Sequence, residues 1–223
     1  MQAAGSGCAP ALPCPDEVLV MGAVLALHSS SEVLGVGVRW LDAGSGGGEV
    51  RAFPLGRGLS NQLLSCVEQV LPAHQWPQLT RLAVATGPGG FTGTRLTVVL
   101  ARTLAQQLQL PLDGVGSFLL VAQRLGIREP TWLVQELPRR GVVAGLYAPA
   151  PGGAGAGCLE LEAPRLFAPG TPVPPGPQLP SAAQLPDDVA QLLELSVRAH
   201  VQGLEAPWQP VLPLYPTSPV AGL

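Results

Sequence analysis

Lysine is missing from this 223-residue chain, and all twelve basic residues are arginine. That excludes a Schiff-base lysine, a Ser-Lys pair and the lysine of a phosphate loop. Charge of either sign is scarce, at 12% of residues with a net charge of −3. Strong unaided binding to nucleic acid, which scales with the phosphates neutralised, is therefore not expected. Isoleucine occurs once, at Ile127, against 28 glycines and 25 prolines. This bias reads as the product of a GC-rich genome. Cysteine is sparse as well. Cys8, Cys14, Cys66 and Cys158 form no CxxC, and no histidine lies at ligand spacing from them. Neither a disulfide framework nor a metal site is expected, and reduced thiols in the cytoplasm are. The apolar run from Val18 to Leu27 is too short for a bilayer, which needs about 20 residues. Asp16 and Glu17 precede it where a secretory leader carries basic residues. No membrane segment is expected. Met21 lies within the run and heads "MGAVLALHSSS", so residues 1–20 read as a disordered extension or an unused upstream start.

What is present is an α/β pattern. After the first apolar run, Val36, Val38 and Trp40 alternate with Gly35, Gly37 and Arg39, which predicts a strand with one buried face. "EVRAFPL" predicts a third strand. Ser60 is placed to cap a helix with Leu63, Leu64, Val67, Val70 and Leu71 on one face. "LTRLAVAT" is a strand, a glycine loop follows, and a helix is expected over 94–109. A short strand and a helix capped by Ser117 come next. The order βββαβα is that of a ribonuclease-H-like lobe over residues 21–112. Residues 113–223 read as a reduced second lobe, with strands near 131–137, 141–150 and 158–167 and a helix from Asp187. Within a proline-rich segment at 163–180, the stretch 168–180 is too proline-rich for regular structure.

The loop Gly87, Pro88, Gly89, Gly90, Phe91, Thr92, Gly93 leads through Thr94 to Arg95. A Walker loop, G-x-x-x-x-G-K-S/T, fails here because Gly89 and Gly93 are one residue too close and no lysine follows. G-x-G-x-x-G fails because Thr92 takes the third glycine's place. A bare helix N-terminus could still bind an anion; the reading preferred over it is that the glycines allow a sharp strand-to-helix turn with close packing. On the following helix Arg95, Arg102, Gln106 and Gln109 form a polar stripe. Leu96, Val99, Leu100 and Leu104 cover one side, and Val98, Ala101, Ala105 and Leu108 another. A helix apolar on two sides needs a second cover, either the chain's own second lobe or another protein.

"GPGGFTGTRLTVVLARTLAQQL" closely resembles the GPGSFTGxRxGxxxAxGLA signature of the TsaB (YeaZ) family. "VLALHSSS", "LSNQLLSCVEQVL", "LPRRGVVAGLYAP" and "VLPLYP" resemble further segments of that family. The resemblance implies two ribonuclease-H-like lobes of the actin-like/sugar-kinase architecture, the second reduced. It implies a cytoplasmic, non-catalytic scaffold that binds a TsaD-type catalytic subunit in making threonylcarbamoyladenosine beside the tRNA anticodon. A TsaE-type ATPase joins, homodimers form through the same helices, and tRNA is met only through the complex. ATP and metal belong to the partner, and this chain holds no cofactor. The interface expected on that basis comprises Leu63, Cys66, Val67, Val98, Ala101, Ala105 and Leu108.

Three positions depart from the family pattern. His28 replaces an aspartate, Leu59-Ser60 replaces His-Ser, and the aspartate before Arg139-Arg140 is absent. A neutral imidazole supplies no anionic oxygen to a hard cation, so phosphotransfer is not expected. Two rival classes are a glycoprotease-like peptidase and a stand-alone nucleotide-binding module. His28 beside Ser29, Ser30 and Ser31 is a superficial base–nucleophile pairing with no acid to orient it, and neither G-x-S-x-G nor H-E-x-x-H occurs.

Overall fold

A computed structural model describes residues 22–41, 47–152 and 157–217. The first sheet is built from β1 (Ala23–His28), β2 (Val33–Trp40), β3 (Gly48–Pro54), β4 (Leu79–Gly87) and β5 (Leu112–Gly116). Its order is β3-β2-β1-β4-β5. The first three strands are antiparallel, and β4 and β5 run parallel to β1. The ribonuclease-H-like lobe expected from the element order is present. Residues 1–21, including the proposed extension, Cys8 and Cys14, lie outside the described residues.

Helices α1 (Leu59–Val70) and α2 (Phe91–Leu108) cover one face of this sheet. Leu25, Leu27, Val36, Leu82 and Val84 meet Leu63, Val67, Val98, Ala101 and Ala105 there. Ser60 does not cap α1: it is already helical, and the N-cap is Gly58. Leu64, expected on the buried face, points outward. α2 starts at Phe91, inside the glycine loop, earlier than expected.

The opposite face of the sheet is covered by α3 (Ser117–Leu125) and α4 (Asp187–Val201), with Val24, Ala26, Ala83 and Ala85 against Leu120, Val189, Leu192 and Leu193. β2 is therefore buried on both faces, not one. A Cβ on Gly35 would fall 2.3 Å from a Val189 methyl, and one on Gly37 2.7 Å from Leu193. Glycine there is what lets α4 approach. The segment assigned to the second lobe thus returns to the first: β5 and α4 both belong to it. So does the tail, where Leu112 N–H donates to Ala206 O and Leu214 N–H to Thr86 O.

The second sheet has the order β8-β7-β6-β9, from β6 (Thr131–Leu137), β7 (Gly141–Pro149), β8 (Cys158–Phe167) and β9 (Gln178–Pro180). β9 pairs parallel with β6, as β4 does with β1, so the second lobe repeats the first in reduced form. β9 lies in the stretch expected to be irregular. It is a three-residue edge strand, which is where proline is tolerated. α3 lies between the sheets, giving Leu120 to one core and Phe118, Val121 and Ala122 to the other.

Two buried ion pairs fasten α4. Arg81 donates twice to Asp113 at 2.7 Å, and Ser196 donates to the same carboxylate at 2.6 Å. Arg124 on α3 donates to Asp188 at 2.7 Å and to Ala182 O at 2.8 Å. No described helix is long and apolar enough to cross a membrane.

Candidate functional site

The glycine loop lies against the turn that follows β1. Gly90 N–H donates to Ser30 O at 2.8 Å, so one loop amide is already committed. A Cβ on Gly89 would fall 2.3 Å from Ser30 Cβ and 2.4 Å from Ser30 O, and one on Gly93 2.7 Å from Ser29 O. Close backbone contact is what these glycines are for. Gly87 has φ +100°, and a Cβ there would fall 3.0 Å from Leu214 O. Pro88 is buried, Phe91 and Thr92 are exposed, and Arg95 is exposed. The loop sets the position and angle of α2.

Two hydroxyl pairs complete the junction. Ser29 Oγ and Thr97 Oγ1 share a hydrogen bond of 2.9 Å, and Ser30 Oγ and Ser117 Oγ one of 2.5 Å. They tie β1's end to α2 and α3. His28 is fully buried, its Nδ1 accepts weakly from Ser30 N–H at 3.4 Å, and its Nε2 has no partner among the described residues. Burial lowers its pKa to about 4, so the imidazole is neutral. Neither serine hydroxyl reaches it. The pairing that suggested a peptidase is thereby broken up, because each hydroxyl is engaged elsewhere.

The lobes enclose a cleft of about 620 Å³ lined by Ser30, Ser31, Glu32, Gly89, Ser117, Gln135, Glu136 and Gln178, with apolar Val134 and Leu179. Its charged groups are carboxylates, with no cationic side chain among the described lining residues. Polyphosphate finds no charge complement there. Gln135, Glu136 and Gln178 come from the second lobe, and nothing in their spacing marks them in the sequence. Among the described residues no three His, Cys, Asp or Glu side chains are grouped to hold a metal. Burial pushes the thiols of Cys66 and Cys158 up, so both are weak nucleophiles.

The residues expected to meet a partner need correction. Leu63, Cys66, Val67, Val98, Ala101 and Ala105 are all buried in this chain's own core, and Leu108 packs at its margin. The small side chains of Ala101 and Ala105 let α2 approach the sheet, not a foreign helix. Of the other apolar side of α2, Leu104 is buried in the same core, Leu96 and Leu100 are half-buried against it, and Val99 alone is largely outward at 53% exposed. On α1, Leu64 is 48% exposed. The rest of α2's outer surface, Thr92, Arg95, Thr103, Gln106 and Gln107, is polar.

Two α/β lobes joined through α3, one with the full 3-2-1-4-5 strand order and one shortened, define a protein of the ribonuclease-H-like, actin-like class. Residues 55–138 match the family model described as TsaD, tRNA N6-adenosine threonylcarbamoyltransferase. The chain is 49% identical over 39 residues to the tRNA threonylcarbamoyladenosine biosynthesis protein TsaB of Bacillus subtilis (strain 168), covering 18% of this chain and 17% of that one. It is 29% identical over 102 residues to the protein of the same name from Escherichia coli (strain K12), covering 45% and 42%. The chain thus matches less than half the length of either curated relative. In fold it is similar to YeaZ from Pseudomonas aeruginosa, with a TM-score of 0.66 at 21% identity over 87% of this chain and 100% of that one. A crystal structure described as similar to peptidase YEAZ from Pseudomonas aeruginosa gives a TM-score of 0.66 at 22% identity over 88% and 100%. Matched sequence segments and fold are thus similar to proteins named TsaB or YeaZ.

Proposed function

We propose that this chain serves threonylcarbamoyladenosine biosynthesis as a non-catalytic subunit that docks on a TsaD-type catalytic subunit. The observation that carries the reading is the similarity to two proteins named for that biosynthesis. The absence of lysine and the neutral, buried His28 support a supporting rather than a catalytic part. ATP and metal belong, on this reading, to the partner, and the chain itself takes no cofactor. A TsaE-type ATPase joins the assembly, and a homodimer competes for the same helices.

The docking surface is the outward side of α1 and α2, with Leu64 and Val99 exposed and Leu96 and Leu100 at the rim. Burying such side chains against a partner contributes about 1.5–3 kcal/mol each at full burial. Co-elution of purified chain with the TsaD-type subunit of the same cell tests the reading. Complex formation is expected, and Leu64→Arg with Val99→Arg is expected to abolish it. A wild-type chain that elutes alone, or a complex indifferent to both changes, overturns it.

A further inference from the structure

The flank of α2 turned away from α1 carries a row of arginines and aromatic rings. Phe91, Arg95 and Arg102 stand at i, i+4 and i+11, so they share one edge of the helix. The tail runs antiparallel beside that edge and adds two more rings. Arg102 lies over Trp208 with 5.6 Å to the ring centroid and donates to Gln209 O at 3.4 Å. Seven residues later on the tail, the Tyr215 ring sits 4.7 Å from the Phe91 ring. Arg95 is close enough to Tyr215 to draw its phenol pKa down against the larger upward push of burial. Arg140 of the second lobe lines the same small hollow as Phe91 and Tyr215, about 220 Å³ in volume.

Phe91 is 40% exposed and Tyr215 36%, both much for rings that could be buried. Arg95 is exposed and makes no hydrogen bond or ion pair among the described residues. α2 has no acidic residue, and Glu205 is the only one in 204–217. On a chain of net charge −3 this flank is a local cationic field. Guanidinium groups beside exposed rings are the elements that hold single-stranded nucleic acid: arginine takes the phosphates, and each ring offers a face for a base.

We propose that the Phe91–Arg95–Arg102 edge of α2, with Trp208 and Tyr215 of the tail, is a direct contact surface for single-stranded RNA. The inference rests on the proposed place of the chain in a tRNA-modifying assembly, and adds an RNA contact made by this chain's own side chains. Two arginines and a few rings give weak, salt-sensitive binding. That fits a surface whose affinity is completed by a partner.

Fluorescence anisotropy of the full chain with a fluorescein-labelled oligouridine of about 16 nucleotides tests it. Saturable binding is expected at about 50 mM salt and much less at about 200 mM. Arg95→Gln with Arg102→Gln is expected to weaken binding at least tenfold and to reduce the log–log salt slope by about 1.4, two contacts at ~0.7 each. Tyr215→Ala is expected to cost about tenfold with less change in slope. Arg165→Gln, on β8, serves as the distant control and leaves binding unchanged. Arg102 also holds the tail, so Arg95→Gln alone, at an exposed position, keeps the test independent of folding.

No saturable binding, equal losses from Arg165→Gln, or no loss from Arg95→Gln overturns the proposal. Displacement of the RNA by polyglutamate at equal charge concentration also overturns it, because the surface is then one for an acidic protein. Co-elution with the TsaD-type subunit is measured on the same variants. RNA binding without that partnership sinks the proposed function alone, and partnership without RNA binding sinks this inference alone.

Discussion

Gly89 lies so close to Ser30 that a Cβ on the glycine would fall 2.3 Å from Ser30 Cβ and 2.4 Å from Ser30 O. One of those atoms is backbone, so the neighbour cannot rotate away. Gly89→Ala is expected to lower stability by about 1–3 kcal/mol, the usual cost of overpacking. Gly90→Ala is the contrast, since the nearest atom to its Cβ is 3.8 Å away. That change is expected to stay within about 0.5 kcal/mol. Urea midpoints of the two variants compare them directly, and equal midpoints would remove the packing account of the loop.

Ala105 and Val99 sit on the same helix with opposite fates. Ala105 is fully buried against the sheet, whereas Val99 is more than half exposed. Ala105→Arg forces an unpaired charge into the core and is expected to cost several kcal/mol, enough to unfold the lobe. Val99→Arg is expected to leave the melting temperature within a few degrees of the parent, about 0.5 kcal/mol. Circular dichroism melts separate the two, and a folded Ala105→Arg protein would place α2 the other way round.

Arg124 is the partner of a carboxylate that has no exposure at all. Burial raises the pKa of Asp188, and the Arg124 hydrogen bond works against that rise. Removing the guanidinium strands the charge, so Arg124→Ala is expected to cost about 3–5 kcal/mol. Arg124→Leu combined with Asp188→Leu is expected to cost less than Arg124→Ala alone, because no unpaired charge remains. Chemical denaturation of both variants reads the difference.

His28 makes stability depend on pH. Its pKa is about 4 in the folded chain and near 6.5 when exposed, so the unfolded state binds the proton first. Stability is therefore full above pH ~6.5 and declines as pH falls from there toward ~4, by about 3 kcal/mol in all. His28→Gln is expected to flatten that part of the profile. Urea unfolding at pH 7 and pH 5 checks it, and an identical slope in the variant would assign the loss to another group.

Much of this protein was legible in one dimension. Alternation in β2, the apolar spacing of α1 and the acidic start of α4 predict those elements where they occur, because each is a local periodicity. The glycine loop was legible as a turn for close packing, since its spacing matches neither phosphate pattern. Which side of α2 faces the sheet was not legible: Val98, Ala101 and Ala105 on one side and Leu96, Val99 and Leu100 on the other are equally apolar. β9 was hidden by its prolines, and the cleft residues Gln135 and Gln178 carry no spacing signal.

By itself, the order of residues determined the element sequence, the exclusion of lysine chemistry and the duplication of a lobe, since these depend on composition and on neighbours a few residues apart. Tertiary structure alone decided that α4 and the tail return to the first lobe, that β2 is buried on both faces, and that Trp208 and Tyr215 come to lie beside Arg102 and Arg95. Those contacts join segments about a hundred residues apart. Long-range packing chooses among local patterns that are equally good on their own.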